Sequence, residues 1–139
     1  MSAQFFIDTN VFLYSIDDSV ECKPKRTVAR EILENQPWGW SVQVAAEFFV
    51  NATSPKRAFR LKTDLASALV ENWFRFPTAE ITSEIVRSAI SLHQRYQTRY
   101  WGSAILASAR ILGCHTVYTA HLNHSQDDGV TVKNPFLSK

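Results

Sequence analysis

The sequence predicts a three-layer α/β/α domain with a central, mainly parallel sheet, and three observations predict it. Short apolar runs such as Phe5-Phe6-Ile7 and Thr116-Val117-Tyr118 read as buried strands. They alternate with longer stretches of helical period, and the junctions carry residues that cap helices or make turns.

The chain opens with Gln4-Phe5-Phe6-Ile7, which stops abruptly at Asp8-Thr9-Asn10. Those residues favour helix N-caps and turns, so a buried strand feeds a helix at this junction. Lys25 to Asn35 places Val28, Ala29, Ile32 and Leu33 at helical spacing. It stops at Gln36-Pro37, because proline disfavours helical geometry in the residue before it. Trp40-Ser41-Val42 is a short strand, and Val44 to Asn51 a helix whose polar stripe Gln43, Glu47 and Asn51 recurs every four residues along one face. Thr63 to Phe76 carries Leu65, Leu69, Trp73 and Phe76 on one side, and Thr82 to Tyr96 carries Ile85, Val86, Ala89, Ile90 and Leu92, with Pro77 between the two helices. Ser103 to Leu112 is a small-residue helix closed by Gly113, a natural residue just past a helix end. Thr116 to Thr119 and Gly129 to Val132 are the last strands, before Asn134-Pro135-Phe136.

A chain of 139 residues is the size of one domain, so residues 1–139 are expected to share one core. With 45% hydrophobic and 20% charged residues, the whole chain is expected to fold. Fifteen Lys+Arg against thirteen Asp+Glu leave a net charge of +2, too small for nucleic-acid binding by bulk electrostatics, so any such contact is local. Two cysteines, no basic leader segment and no apolar run of the roughly 20 residues a membrane span needs point to a cytoplasmic protein without a membrane partner. Neither G-x-G-x-x-G, nor a phosphate-binding G-x-x-x-x-G-K-[ST], nor G-x-S-x-G occurs, which argues against a nucleotide-binding domain and a serine hydrolase.

In sheets of this kind ligands bind beyond the carboxyl ends of the strands, where Asp8 stands. Asp8 fits either a functional carboxylate or a helix cap. Glu47 lies among Val44, Ala45, Ala46, Phe48, Phe49 and Val50, a setting where a buried carboxylate is costly unless paired or holding a cation. A solvated helix face is the alternative.

The run Phe5-Phe6-Ile7-Asp8-Thr9-Asn10-Val11-Phe12-Leu13-Tyr14 resembles the opening of PIN domains, where a strand delivers the first metal-binding aspartate. The resemblance continues through Ser41-Val42-Gln43-Val44-Ala45-Ala46-Glu47-Phe48, Tyr100-Trp101-Gly102-Ser103-Ala104-Ile105-Leu106-Ala107, Leu122-Asn123-His124-Ser125 and the closing Asn134-Pro135-Phe136. It is closest to the VapC-type toxin ribonucleases of type II toxin-antitoxin pairs. It implies a PIN-like three-layer α/β/α fold, a Mg²⁺- or Mn²⁺-dependent endoribonuclease, RNA as substrate and an antitoxin protein as partner. By position it makes Asp8 and Glu47 the catalytic and metal-binding carboxylates, with Thr9 and Asn10 assisting. In such a site the ion orients a water, lowers its pKa and stabilises charge on the phosphodiester.

The chain departs from this pattern at two places. Gly102 stands where the family supplies its third acid, and Ala120 and His121 stand where it carries a glutamate-aspartate pair. Two carboxylates balance one divalent ion, so a weakly bound Mg²⁺ or Mn²⁺ and reduced activity are expected. His121 is a candidate substitute ligand whose nitrogen favours Mn²⁺, Ni²⁺ or Zn²⁺ over Mg²⁺. Cys114, His115, His121 and His124 match no standard zinc spacing, and Asp127 and Asp128 read first as a turn. Lys56, Arg57, Arg60 and Lys62 around Phe59, and Arg95 and Arg99 beside Tyr96 and Tyr100, are candidate RNA contacts that combine phosphate-binding charge with rings for stacking. Trp73, Phe74 and Phe76 exceed what one helix side needs and serve either the core or a surface for a second subunit or an antitoxin segment. Two functions stay open: a weakened endoribonuclease, and a catalytically inactive module that binds RNA or an antitoxin-like partner.

Overall fold

The computed structural model describes residues 2–97, 99–121 and 129–137. Its elements run β1 (Phe5–Ile7), α1 (Thr9–Ile16), α2 (Lys23–Asn35), β2 (Trp38–Ser41), α3 (Val42–Ala52), α4 (Thr63–Trp73), β3 (Thr78–Ala79), α5 (Ser83–Tyr96), α6 (Tyr100–Ile111), β4 (Thr116–Tyr118) and β5 (Thr131–Lys133). The sheet order is β3-β2-β1-β4-β5 and every described pairing is parallel. The first strand is therefore central, and its carboxyl end opens at the middle of one sheet edge, where an α/β sheet binds ligands.

Parallel strands need covering on both faces, which explains why β2 is buried at all four positions. The heart of the core is aromatic. Phe12 from α1 meets Trp38 and Trp40 of β2, Phe48 of α3 and Trp73 of α4, with ring centroids 5.3, 4.9, 6.3 and 4.8 Å away. Phe76 stacks on Trp38 at 3.9 Å, and the Trp40 Nε1–H donates to the Thr78 hydroxyl at 3.0 Å, so no large ring leaves its polar handle unpaired in β2. Trp73 and Phe76 thus belong to the interior, while Phe74 keeps 40% of its surface exposed.

Several element limits differ from the sequence reading, each for a local reason. The second strand starts at Trp38 and ends at Ser41, whose hydroxyl accepts the Val44 N–H at 3.3 Å and starts α3 two residues earlier than expected. The last strand is Thr131–Lys133 rather than Gly129 to Val132, because Gly129 turns with φ +84°. The helix expected to begin at Ser103 begins at Tyr100, which draws Gly102 into its first turn. The two-residue β3, which extends the sheet beyond β2, was not anticipated from the sequence. Among the described residues no helix is long and apolar enough to cross a membrane.

Candidate functional site

Asp8 follows β1 directly and caps α1. Its backbone N–H continues the β1–β4 ladder to the Tyr118 carbonyl at 3.0 Å, which fixes where the side chain starts. Asp8 Oδ1 accepts the Thr9 N–H at 2.7 Å, and Oδ2 accepts the Thr119 hydroxyl at 2.8 Å. The cap expected of Asp8 is thus made by Oδ1, while Oδ2 is turned to the end of β4.

Glu47 arrives from α3. Its Oε1 accepts the Thr9 hydroxyl at 2.7 Å, so one residue hydrogen-bonds both carboxylates, the first through its backbone and the second through its side chain. Gln43, one turn earlier on the same face, directs its Nε2 to Glu47 Oε2 at 3.4 Å, and Asn51 one turn later donates to the Glu47 carbonyl at 2.8 Å. The four-residue stripe of α3 is thus a polar rail along the site. Gln43 Oε1 is buried and has no hydrogen-bond partner among the described residues.

On the other flank, Asn10 reaches the end of β4. Its Oδ1 accepts the Ala120 N–H at 3.0 Å, and its Nδ2 lies 3.4 Å from the Thr119 hydroxyl. Thr119 is fully buried and also accepts the His121 N–H at 3.2 Å. In the sequence Thr119 reads only as the end of a strand. The register that pairs Ile7 with Tyr118 puts Thr119 beside Asp8, and only long-range pairing carries that signal.

The electrostatics follow from this crowding. Burial raises the Asp8 pKa above 3.8, the bonds from Thr119 and Thr9 partly offset it, the Glu47 charge raises it further, and His121 draws it down. Glu47 and His121 therefore both act on Asp8 electrostatically. The His121 side chain is exposed at the rim. Gly102 is buried in the first turn of α6 and offers no side chain, and Ala120 contributes only its backbone N–H.

Among the described residues no three His, Cys, Asp or Glu side chains converge as metal ligands. His124, Asp127, Asp128 and the segment 122–125 lie outside the described residues. The donors that are present suit one hard cation: two carboxylates coupled through Thr9, with the Gln43 amide beside Glu47.

The basic candidates divide. Lys56, Arg60 and Lys62 are exposed on the segment between α3 and α4. Arg57 on the same segment is half-buried and pairs with Asp17 at 3.7 Å, at the far end of α1 from Asp8, so it braces the fold at that point. The Arg95 guanidinium lies 5.7 Å from the Tyr96 ring centre, and Arg99 stands immediately before α6. Cys114 is buried, which pushes its thiol up to about 11 and leaves it an inert core residue.

A family model described as "PIN domain" matches residues 5–124. No curated protein matches the chain's sequence. Among solved structures, a toxin-antitoxin complex from Klebsiella pneumoniae is similar at 20% identity and TM-score 0.69, covering 96% of this chain and 98% of that one. VapC20 of Mycobacterium tuberculosis, a toxin that cleaves the sarcin-ricin loop, is similar at 13% identity and TM-score 0.64, covering 81% of this chain and 86% of that one. VapBC2 of Rickettsia felis, bound to a DNA fragment from its promoter, gives 13% identity and TM-score 0.64 over 94% of this chain and 97% of that one. At these identities the likeness is one of fold.

Proposed function

Because the chain belongs to the PIN domain family, we propose that it is a VapC-like, divalent-metal-dependent endoribonuclease whose cleavage of RNA phosphodiester bonds is slow. The observation that carries this reading is the pair of carboxylates at the carboxyl edge of the sheet, Asp8 and Glu47, coupled through Thr9. A bound Mg²⁺ or Mn²⁺ supplies charge stabilisation at the phosphate and a more acidic water. Asp8 and Glu47 hold it, Thr9 and Thr119 keep their oxygens aimed, and Asn10 fixes the β4 end against the site. His121, exposed at the rim and acting on Asp8, is the auxiliary ligand, in which case Mn²⁺ serves better than Mg²⁺.

The reading extends to partners. Lys56, Arg60, Arg95 and Arg99 contact RNA phosphates, with Tyr96 and Tyr100 available for stacking. The structural neighbours from Klebsiella and Rickettsia are toxin-antitoxin assemblies, which supports an antitoxin as the protein partner of this chain too. The exposed Val50 on α3, Leu65 on α4 and Phe74 just past the end of α4 are the apolar surface for it or for a second copy of the chain.

A second reading, a catalytically inactive module that binds RNA or an antitoxin-like partner, is favoured by one observation. Gly102 and Ala120, at positions where the resemblance expects acids, bring no side-chain ligand.

RNA cleavage with Mg²⁺ or Mn²⁺ separates the two. The first reading expects slow cutting by the native chain, loss of at least about 100-fold on Asp8→Asn, and faster cutting by the double variant Gly102→Asp with His121→Asp. Cleavage by the double variant alone supports the inactive module. Cleavage by none of the three overturns the nuclease assignment of this site.

A further inference from the structure

The stripe on α3 contains one group that neither the fold nor the proposed reaction yet uses. Gln43 Oε1 is buried without a partner among the described residues, while the other end of the same amide makes only a 3.4 Å contact to Glu47 Oε2. Of the two ends of this amide it is Nε2 that faces Glu47, so the oxygen reaches the carboxylate only by exchanging places with the nitrogen.

We infer that Gln43 supplies a third protein oxygen to the cation site, its amide oxygen binding the same divalent ion as Glu47 and Asp8, whether or not the His121 nitrogen joins them. The inference rests on the metal-binding reading above. Half a turn about the last side-chain torsion, which is soft for an amide, brings the carbonyl to the place now held by Nε2. That place is 3.4 Å from Glu47 Oε2. Two oxygens at right angles around a hard cation, each about 2.1–2.4 Å from it, stand about 3.0–3.4 Å apart. The spacing on α3 therefore suits two neighbouring ligands of one ion. Metal-free, the amide donates to Glu47; metal-bound, the same amide accepts the cation. A neutral third oxygen adds no repulsion to the metal-free site, whereas a carboxylate at the same place would crowd the metal-free charges and attract the ion more strongly.

The test uses the whole chain with the metal alone. Mn²⁺ binding is measured by electron paramagnetic resonance of the free ion. Bound waters are counted from Tb³⁺ luminescence lifetimes in H₂O and D₂O. Gln43→Leu is expected to weaken Mn²⁺ binding about tenfold and to add one water to bound Tb³⁺, with metal-free melting unchanged; Gln43→Glu is expected to tighten Mn²⁺ binding. An unchanged affinity, or a weakened one with the same water count, overturns the inference, since a residue that only orients Glu47 adds no water when removed. Should the leucine variant fail to fold, Gln43→Glu decides alone, and no gain in affinity overturns the inference. Asp8→Asn separates the two levels. If it releases the ion while the Gln43 variants behave like the native chain, only the Gln43 inference falls; if the native chain takes up neither ion, the metal-binding reading falls with it.

Discussion

Asp8 is asked to carry charge in a place that resists it. Its neighbours supply two hydrogen bonds, yet burial and the charge of Glu47 leave its pKa raised above 3.8. The folded chain holds the Asp8 proton more tightly than the unfolded chain, so folding is favoured by this group at low pH. The ionised side chain then costs stability as pH climbs from 3.8 through the raised value. In chelator at about pH 7, Asp8→Asn is therefore expected to melt higher than the native chain, with the advantage narrowing as pH falls toward 3.8. Thermal melts across that range check it; an asparagine variant less stable at neutral pH contradicts it. The same residue shows what sequence can display. Asp8 was legible because it ends an apolar run, and Glu47 because it sits among apolar neighbours. Thr119 was not, because a threonine at a strand end becomes a carboxylate partner only once strand register sets it beside Asp8.

At the scale of elements, caps and close approaches decided what periodicity left vague. Helical spacing located α3 and α6, but Ser41 as cap and the early start at Tyr100 fixed where their side chains point, including the placement of Gly102. β2 shows a second constraint. A Cβ at Gly39 would lie 2.9 Å from both Ala3 Cβ and Leu112 Cδ1 and 3.0 Å from the Pro77 carbonyl. The leucine can yield, but the carbonyl belongs to the ladder that holds β3, where Trp40 N–H donates to it at 3.1 Å. Gly39→Ala is expected to cost about 1–3 kcal/mol, by the overpacking that follows when a methyl enters a filled space. Urea melts measure it, and a cost below about 0.5 kcal/mol means the strand moves more freely than this packing implies.

Across the whole molecule, the alternation of strands and helices announced a parallel sheet, but not its order. The order β3-β2-β1-β4-β5 depends on pairings such as Phe5 with Thr116, more than a hundred residues apart in sequence, which no local pattern encodes. Nor was β3 legible, since two residues at a sheet edge carry no periodicity. That order makes β1 central and lets α1, α3 and the end of β4 deliver Asp8, Glu47 and Thr119 to one place. The aromatic core around Phe12 holds α1, β2, α3 and α4 together, so the separation of the two carboxylates is set by the interior and not by a loop. That shared place is the proposed cation site. Mn²⁺ titration of the native chain, Asp8→Asn, Glu47→Gln and the double variant tests it most directly. The expected result is one ion per chain, weakened at least about tenfold by either single change, with the double variant little worse than the singles, because both groups serve one ion. Losses that simply add, or affinity untouched by either change, contradict the account.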